Sequence, residues 1–141
     1  MCINRNRNRR GRESNTSLSQ FVLKTINVNG YCKEEKRDIV HAYMHGEKPE
    51  LIVLCDTRAS TIIEGRIWAE QSVYNFVATP GKDAARGVMI YIRRDFPAKI
   101  LNVVRDHQDS NYIIIKLEVY NETITICGVY GPNQENPPFW Q

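Results

Sequence analysis

Long apolar runs, paired cysteines and zinc motifs are all lacking in this sequence of 141 residues. No apolar stretch approaches the roughly twenty residues needed to cross a bilayer, so no membrane partner is expected. The four cysteines are too far apart for a Cys-x-x-Cys pair. His41 and His45 lie four apart in a predicted helix, but without a HExxH glutamate or a third ligand zinc is not expected. These absences favour a nuclear or cytoplasmic protein of a reducing compartment, and no secretory route is indicated.

Positive charge is concentrated at the start of the chain. The first twenty residues carry five arginines and one glutamate, a net +4, so a total of +3 leaves −1 for the remainder. Residues 1–18 have no apolar run and alternate arginine with asparagine, so they cannot offset the entropy lost on ordering. We therefore predict a disordered Arg-rich tail, which is either a solvated terminus, an electrostatic arm for nucleic acid or a nuclear import signal.

The remaining residues, 19–141, combine many strand patterns with one clear helix pattern. Apolar residues recur at helical spacing between residues 33 and 48, and Gly46 marks the predicted end of this helix. The unbroken apolar run LIVLC predicts a strand that is buried on both faces. We predict a layered α/β fold rich in hairpins, with a further helix opening at Pro137 and Pro138. The predicted strands cover residues 21–28, 51–55, 73–78, 87–94, 98–105, 111–120 and 123–130.

Three predicted strands deliver polar residues at their carboxyl ends: Asn27, Asp56, and Tyr130 with Asn133. Strands lying side by side would bring these groups to one edge, where converging polar groups form a candidate site. A single carboxylate with waters and substrate phosphate suits Mg²⁺, while amide and phenol groups orient phosphate oxygens. The set fits phosphodiester cleavage. The alternatives are that Asp56 caps a loop and that Tyr130 and Asn133 are ordinary turn residues.

The motifs INVNG, LCDTR and VYGPN, in this order, resemble the endonuclease/exonuclease/phosphatase family. They are most similar to the apurinic-type endonucleases of LINE-type non-LTR retrotransposons, and the resemblance runs from about residue 21 to the last residue. It implies a layered α/β sandwich of the deoxyribonuclease-like type, DNA as partner, and Mg²⁺ or Mn²⁺ bound at Asp56. The catalytic residues that the resemblance implies are Asn27, Asp56, Tyr130 and Asn133.

Two departures from the family pattern bear on activity. The family usually has glutamate where this chain has Asp56, so a metal would need a shifted position or a bridging water. The later Asp-x-Asn and Ser-Asp-His motifs, which supply the water-activating base and a histidine, are absent. Asp106 and His107 precede VYGPN and are predicted to be a solvated turn. We therefore expect residues 19–141 to be the amino-terminal portion of the domain, mainly its first sheet and helix, with the missing carboxyl-terminal half as a partner.

The leading hypothesis is a fragment of a Mg²⁺-dependent DNA endonuclease that nicks target sites for retrotransposition and is catalytically incomplete. Asn29, Arg58 and Arg86 would contact the nucleic acid. One alternative is a degenerate, non-catalytic remnant that binds nucleic acid weakly through the tail. Another is a phosphatase or exonuclease relative acting on small phosphoesters, because substrate choice lies in loops rather than in the fold.

Overall fold

Two sheets and two helices make up the part of the chain that the computed structural model describes, residues 20–70, 73–82 and 84–131. The predicted tail, Asn133 and the predicted helix at Pro137 lie outside these residues. The elements are β1 (Leu23–Asn27), α1 (Glu34–Glu47), β2 (Leu51–Cys55), α2 (Thr61–Glu70), β3 (Tyr74–Thr79), β4 (Val88–Arg93), β5 (Ala98–Arg105), β6 (Tyr112–Val119) and β7 (Glu122–Val129).

The first sheet has four strands in the order β1-β2-β4-β3, with β1 parallel to β2 and β4 antiparallel to its two neighbours. β2 is buried on both faces, as its apolar run predicts. Ile52 and Leu54 pack with Met44 of α1 and Ile67 of α2. Leu51 and Val53 belong to a separate apolar cluster on the opposite face. β2 is therefore the strand around which both layers assemble.

The second sheet is antiparallel, with three strands in the order β5-β6-β7. Four alternating residues of β6 are completely buried against the first sheet: Ile113, Ile115, Leu117 and Val119. The predicted layered α/β sandwich is confirmed. The expectation that mainly the first sheet and its helix would be present was wrong, because β6 turns one full apolar face inward and covers β2 and β4.

The helices lie on the other side of the first sheet. α1 buries Arg37, Val40 and Met44, whereas the predicted stripe residue Ile39 is 68% exposed. The helix runs one residue past Gly46 and ends where Lys48, in the left-handed conformation, donates its N–H to the Met44 carbonyl. α2 was not predicted, because its sequence contains a central glycine and buries only Ile67 completely among its described residues. Within the described residues, no helix has the length and apolar character to span a bilayer.

A polar network lies beneath α1. The Tyr31 hydroxyl contacts His41 Nε2 and lies 3.2 Å from the Tyr91 hydroxyl. Buried Arg37 forms an ion pair with Glu70 of α2, with a nitrogen-to-oxygen distance of 3.3 Å. Burial raises the pKa of Tyr31 to about 12 and lowers the pKa of His41. His41 is therefore part of the packing beneath the helix.

Candidate functional site

The carboxyl ends of β1, β2 and β7 meet at one edge of the sandwich. Asn27 pairs with Cys55 across the parallel strands, so Asn27 and Asp56 leave the sheet side by side. The Cys55 thiol donates to the Val129 carbonyl at 3.7 Å, which places Tyr130 next to the same edge. We call this group the rim, and it consists of Asn27, Asn29, Asp56, Arg58, Arg86 and Tyr130.

Asp56 lies at the centre of the rim and is only 4% exposed. Arg58 binds both carboxylate oxygens, with Nε 3.1 Å from Oδ1 and a terminal nitrogen 2.9 Å from Oδ2. The Arg86 main-chain N–H donates to Oδ1 at 3.2 Å. This two-pronged, charge-assisted contact compensates much of the cost of removing the carboxylate from water. Asp56 thus holds the loop together while remaining next to the surface.

Arg58 connects Asp56 to the segment that follows β1. Its terminal nitrogen also donates to Asn29 Oδ1 at 2.7 Å. The hydrogen bond to Asp56, followed by the charge of that carboxylate, raises the pKa of Arg58, and the nearby Tyr130 phenol adds to the shift. The side chain is 39% exposed, so part of the guanidinium faces solvent. The rim therefore presents a partly exposed guanidinium whose charge is paired with the Asp56 carboxylate.

The other rim residues are also held by local contacts. Asn27 Oδ1 accepts the Asn29 N–H at 3.0 Å, forming a tight turn after β1. The Tyr130 N–H donates to the Asn111 carbonyl at 2.7 Å. The Arg86 guanidinium is 3.0 Å from the carbonyl of Asp109. Arg86 thus directs its charge towards the turn between β5 and β6 rather than towards Asp56.

Asp106 organises the same turn between β5 and β6. Its carboxylate accepts main-chain N–H groups of Gln108, Asp109 and Asn111 at 3.0 to 3.1 Å. Although partial burial opposes the shift, these hydrogen bonds together lower the pKa of Asp106. The prediction that Asp106 and His107 belong to a turn is confirmed, with Asp106 half-buried and His107 exposed.

Unusual backbone conformations are concentrated at the rim. Asn29, Asp56, Arg58 and Arg86 have φ angles of 45°, 56°, 54° and 61°, in the left-handed region that side chains disfavour. Such conformations cost on the order of 1–2 kcal/mol each, and they persist only where contacts with the surrounding structure hold the backbone in place. Main-chain bonds between the loops supply that support, including Arg58 N–H to Arg86 O at 2.8 Å. The rim is a rigid, strained structure of the kind that is often found at functional sites.

An open groove of about 600 Å³ adjoins the rim. The β1-to-α1 segment and the start of α1 form one side, with Arg58 and Ala84 opposite. Three cations line it, Lys33, Lys36 and Arg58, against the single carboxylate of Glu35. The two lysines were not identified from the sequence as candidate site residues, because charged residues are common at the start of a helix. The groove extends the positive surface away from Asp56.

The arrangement of the rim does not fit the predicted Mg²⁺ or Mn²⁺ site. Asp56 is the predicted metal ligand, yet both of its oxygens are bound by Arg58. In the described ranges, no cluster of three or more His, Cys, Asp or Glu residues could hold a metal ion. A metal at Asp56 therefore requires Arg58 to move, and the metal-binding role of Asp56 remains a prediction.

The structure brings together all the sequence-predicted site residues that it describes. Asn27, Asp56 and Tyr130 lie at one edge, and so do the predicted nucleic-acid contacts Asn29 and Arg58. Arg86 belongs to the rim through its main chain, while its side chain points to Asp109. Asn133 lies outside the described residues. The clustering makes a joint role possible for these groups, and their individual roles remain predictions.

No protein-family model matches the sequence. Among solved structures, the AP endonuclease LMAP from Leishmania major is similar with a TM-score of 0.60 and 16% identity, over 84% of this chain and 41% of that chain. A humanized D. rerio TDP2 carrying 14 mutations is similar with a TM-score of 0.57 and 12% identity, over 73% of this chain and 46% of that chain. D. rerio TDP2 complexed with a single-strand DNA product is similar with a TM-score of 0.53 and 15% identity, over 74% of this chain and 43% of that chain.

The chain thus spans less than half the length of each of these proteins. At these identities the similarity shows the fold alone. The chain has a layered α/β sandwich fold of the deoxyribonuclease-like type.

Proposed function

We propose that this chain is the DNA-binding amino-terminal portion of a nuclease domain that acts on phosphodiester bonds. The observation that carries the proposal is the convergence of Asn27, Asp56 and Tyr130 at one edge, beside the partly exposed guanidinium of Arg58. Two structural neighbours support the choice of substrate, an AP endonuclease and a TDP2 complexed with a single-strand DNA product. DNA in the nucleus or cytoplasm would be the corresponding partner.

In this proposal, each side chain of the rim has the role that its functional group allows. Arg58 is a cation with a planar array of donors that suits phosphate oxygens, and Lys33 and Lys36 continue the positive surface along the groove. The Asn27 amide and the Tyr130 phenol would donate to non-bridging oxygens and stabilise the charge that develops on phosphorus. None of these roles requires a metal ion, so they apply to the rim in the conformation described above.

Cleavage is proposed only for a complete domain. The chain covers 41% to 46% of the neighbours named above, so the rest of the domain would be a partner that supplies further catalytic groups. The Mg²⁺ dependence, and the use of the nick in retrotransposition, rest on the motif resemblance of residues 26–30, 54–58 and 129–133. A non-catalytic nucleic-acid binder is the second candidate, and it is favoured by one observation, the occupation of both Asp56 oxygens by Arg58.

DNA binding to the full chain tests the proposal most directly. We would measure the fluorescence anisotropy of a labelled DNA duplex over a range of salt concentrations, in EDTA and in Mg²⁺. Arg58→Gln should weaken binding and reduce the slope of log K against log salt by about 1, because one phosphate contact is lost. The matched control is Arg66→Gln, which removes an exposed charge from α2 and should leave the slope unchanged.

A second variant separates the rim from the tail. Replacing Arg5, Arg7, Arg9, Arg10 and Arg12 with glutamine removes the basic tail but leaves the rim intact. If this variant loses all binding while Arg58→Gln binds normally, the rim proposal is wrong and the remnant hypothesis is supported. Nicking of supercoiled plasmid and hydrolysis of a small phosphodiester, measured in parallel, separate a nuclease from a phosphatase relative.

A further inference from the structure

The second sheet has an outer face, turned away from the first sheet, that is apolar at one end. Residues directly opposite each other on antiparallel strands have their side chains on the same face. Ile114 is opposite Val104 of β5 and Cys127 of β7. Tyr112 is opposite Val129 of β7. These five residues alternate with residues that face the first sheet, and we call them the outer patch.

The outer patch is exposed in the part of the chain that the structure describes. Val104, Tyr112 and Val129 are 44%, 37% and 43% exposed. Cys127 is exposed as well. The rows at the other end of this face are polar and consist of Lys99, Asn102, Lys116, Glu118, Thr123 and Thr125. The apolar residues are thus grouped at the end next to the rim rather than scattered, which is typical of a surface that contacts another segment.

The small size of the outer patch indicates a short occupant. A standard protein–protein interface uses roughly 20–30 residues a side, many more than this patch offers. One buried aromatic side chain covers roughly 150–250 Å². One or two aromatic rings therefore match a patch of partly exposed side chains on three strands, whereas a second copy of the chain would need a larger surface.

The segment that follows β7 has the composition of such an occupant. Residues 132–141, PNQENPPFWQ, lie outside the described residues and contain two adjacent aromatic residues, Phe139 and Trp140. The three prolines of this segment have no N–H to donate, which disfavours a further strand at the edge of β7. The Arg-rich residues 1–18 contain no aromatic residue. Residues 132–141 are therefore the better occupant, and they suit the face of the sheet better than its edge.

The position of β7 brings this segment within reach of the outer patch. β7 ends at Val129, which belongs to the patch, so the chain leaves the sheet at the apolar end of the outer face. At about 3.3 Å per residue, Cys127 lies roughly 13 Å back along the strand from Gly131. Phe139 is eight residues beyond Gly131 and can extend about 26 Å from it. The segment is thus long enough to turn back over the patch.

We propose that the outer patch is the docking site for Phe139 and Trp140 of the same chain. The two rings cover Ile114 and Cys127 and shield the Cys127 thiol from solvent. The docked segment adds a layer on the outside of the second sheet, beside the rim. The inference does not depend on nucleic-acid binding or on cleavage.

The reactivity of the Cys127 thiol in the full chain tests the docking. The other three cysteines are replaced with serine, and the reaction of Cys127 with dithiodipyridine is followed by absorbance. Phe139→Ser combined with Trp140→Ser should accelerate this reaction at least about tenfold, because a loss of about 1.4 kcal/mol of apolar burial lowers the ratio of docked to undocked chains by that factor. The matched control keeps Cys32 as the single thiol. Cys32 is exposed in the groove, away from the patch, so its rate should not change.

A fluorescence measurement keeps Phe139 and Trp140 in place. Bimane attached to Cys127 in the same single-cysteine chain should be quenched by contact with Trp140, and Trp140→Phe should restore its emission. Bimane attached to Cys32 should give equal emission in both chains. Circular dichroism checks that each variant is folded.

Equal Cys127 reactivity with and without the two aromatic residues would overturn the proposal, and so would unquenched bimane at Cys127. Protection of the Cys127 thiol that increases with protein concentration would also overturn it, because the outer patch would then bind a second copy of the chain. Protection that is independent of concentration and lost in the double variant is the expected result.

Discussion

Gly128 of β7 allows the two sheets to approach each other next to the rim. A Cβ atom at this position would lie 2.8 Å from a methyl group of Val88 and 2.9 Å from a methyl group of Val53. Both valines are buried in the cluster between the sheets, so neither methyl group can move freely. Overpacking of this kind typically costs about 1–3 kcal/mol. We therefore expect Gly128→Ala to reduce the free energy of unfolding by about that amount.

The matched control is the same substitution at Gly46 in α1, where an added Cβ meets no atom within 4 Å. Alanine is favoured over glycine inside a helix, so Gly46→Ala should raise the free energy of unfolding by roughly 0.5–1 kcal/mol. Urea denaturation followed by circular dichroism measures both changes. The reasoning is refuted if Gly128→Ala is as stable as the unaltered chain, or if the two substitutions change stability in the same direction.

Two further predictions concern the two sides of the first sheet. Because burial lowers the pKa of His41, the folded chain disfavours the protonated ring, so this contribution to stability is present above about pH 6.5 and is lost as pH falls below it. His41→Asn should reduce the difference between urea midpoints at pH 8 and pH 5, and an unchanged difference would contradict this. Ile115→Ala should cost about 2–5 kcal/mol in urea denaturation, because the side chain is completely buried. Ile62→Ala, at a position 81% exposed, is its control and should change stability little.

Much of the strand arrangement could be predicted because the apolar patterns are strong. The unbroken run in β2 predicts burial on both faces, and alternation in β6 matches its pattern of exposed and buried residues. The helices were harder. α1 turns Arg37 inward to meet Glu70, so its buried face is rotated from the apolar stripe that includes Ile39. Such an ion pair depends on α2, which the sequence pattern did not indicate.

The sequence identified which residues belong to the site but not how their side chains contact one another. Asn27, Asp56 and Tyr130 each follow an apolar strand, and this is a local signal in the sequence. The contact between Arg58 and Asp56 depends on left-handed conformations at both residues and on a loop some thirty positions further along the chain. Neither the left-handed conformations nor the approach of the later loop produces a periodic pattern in the sequence. The pairing of the Asp56 carboxylate with Arg58 could therefore be seen only in the folded chain.

The segment after β2 and the loop before β4 form a single unit. Thr57 N–H binds Gly87 O, Arg58 N–H binds Arg86 O, and Gly81 N–H binds Ala59 O. The loops carrying these bonds are distant in sequence, yet neither can change shape alone. Homologues with an insertion in one loop should therefore carry a compensating change in the other, and exchanging both loops together should preserve folding better than exchanging either one. Evolution of this surface would then proceed by paired substitutions.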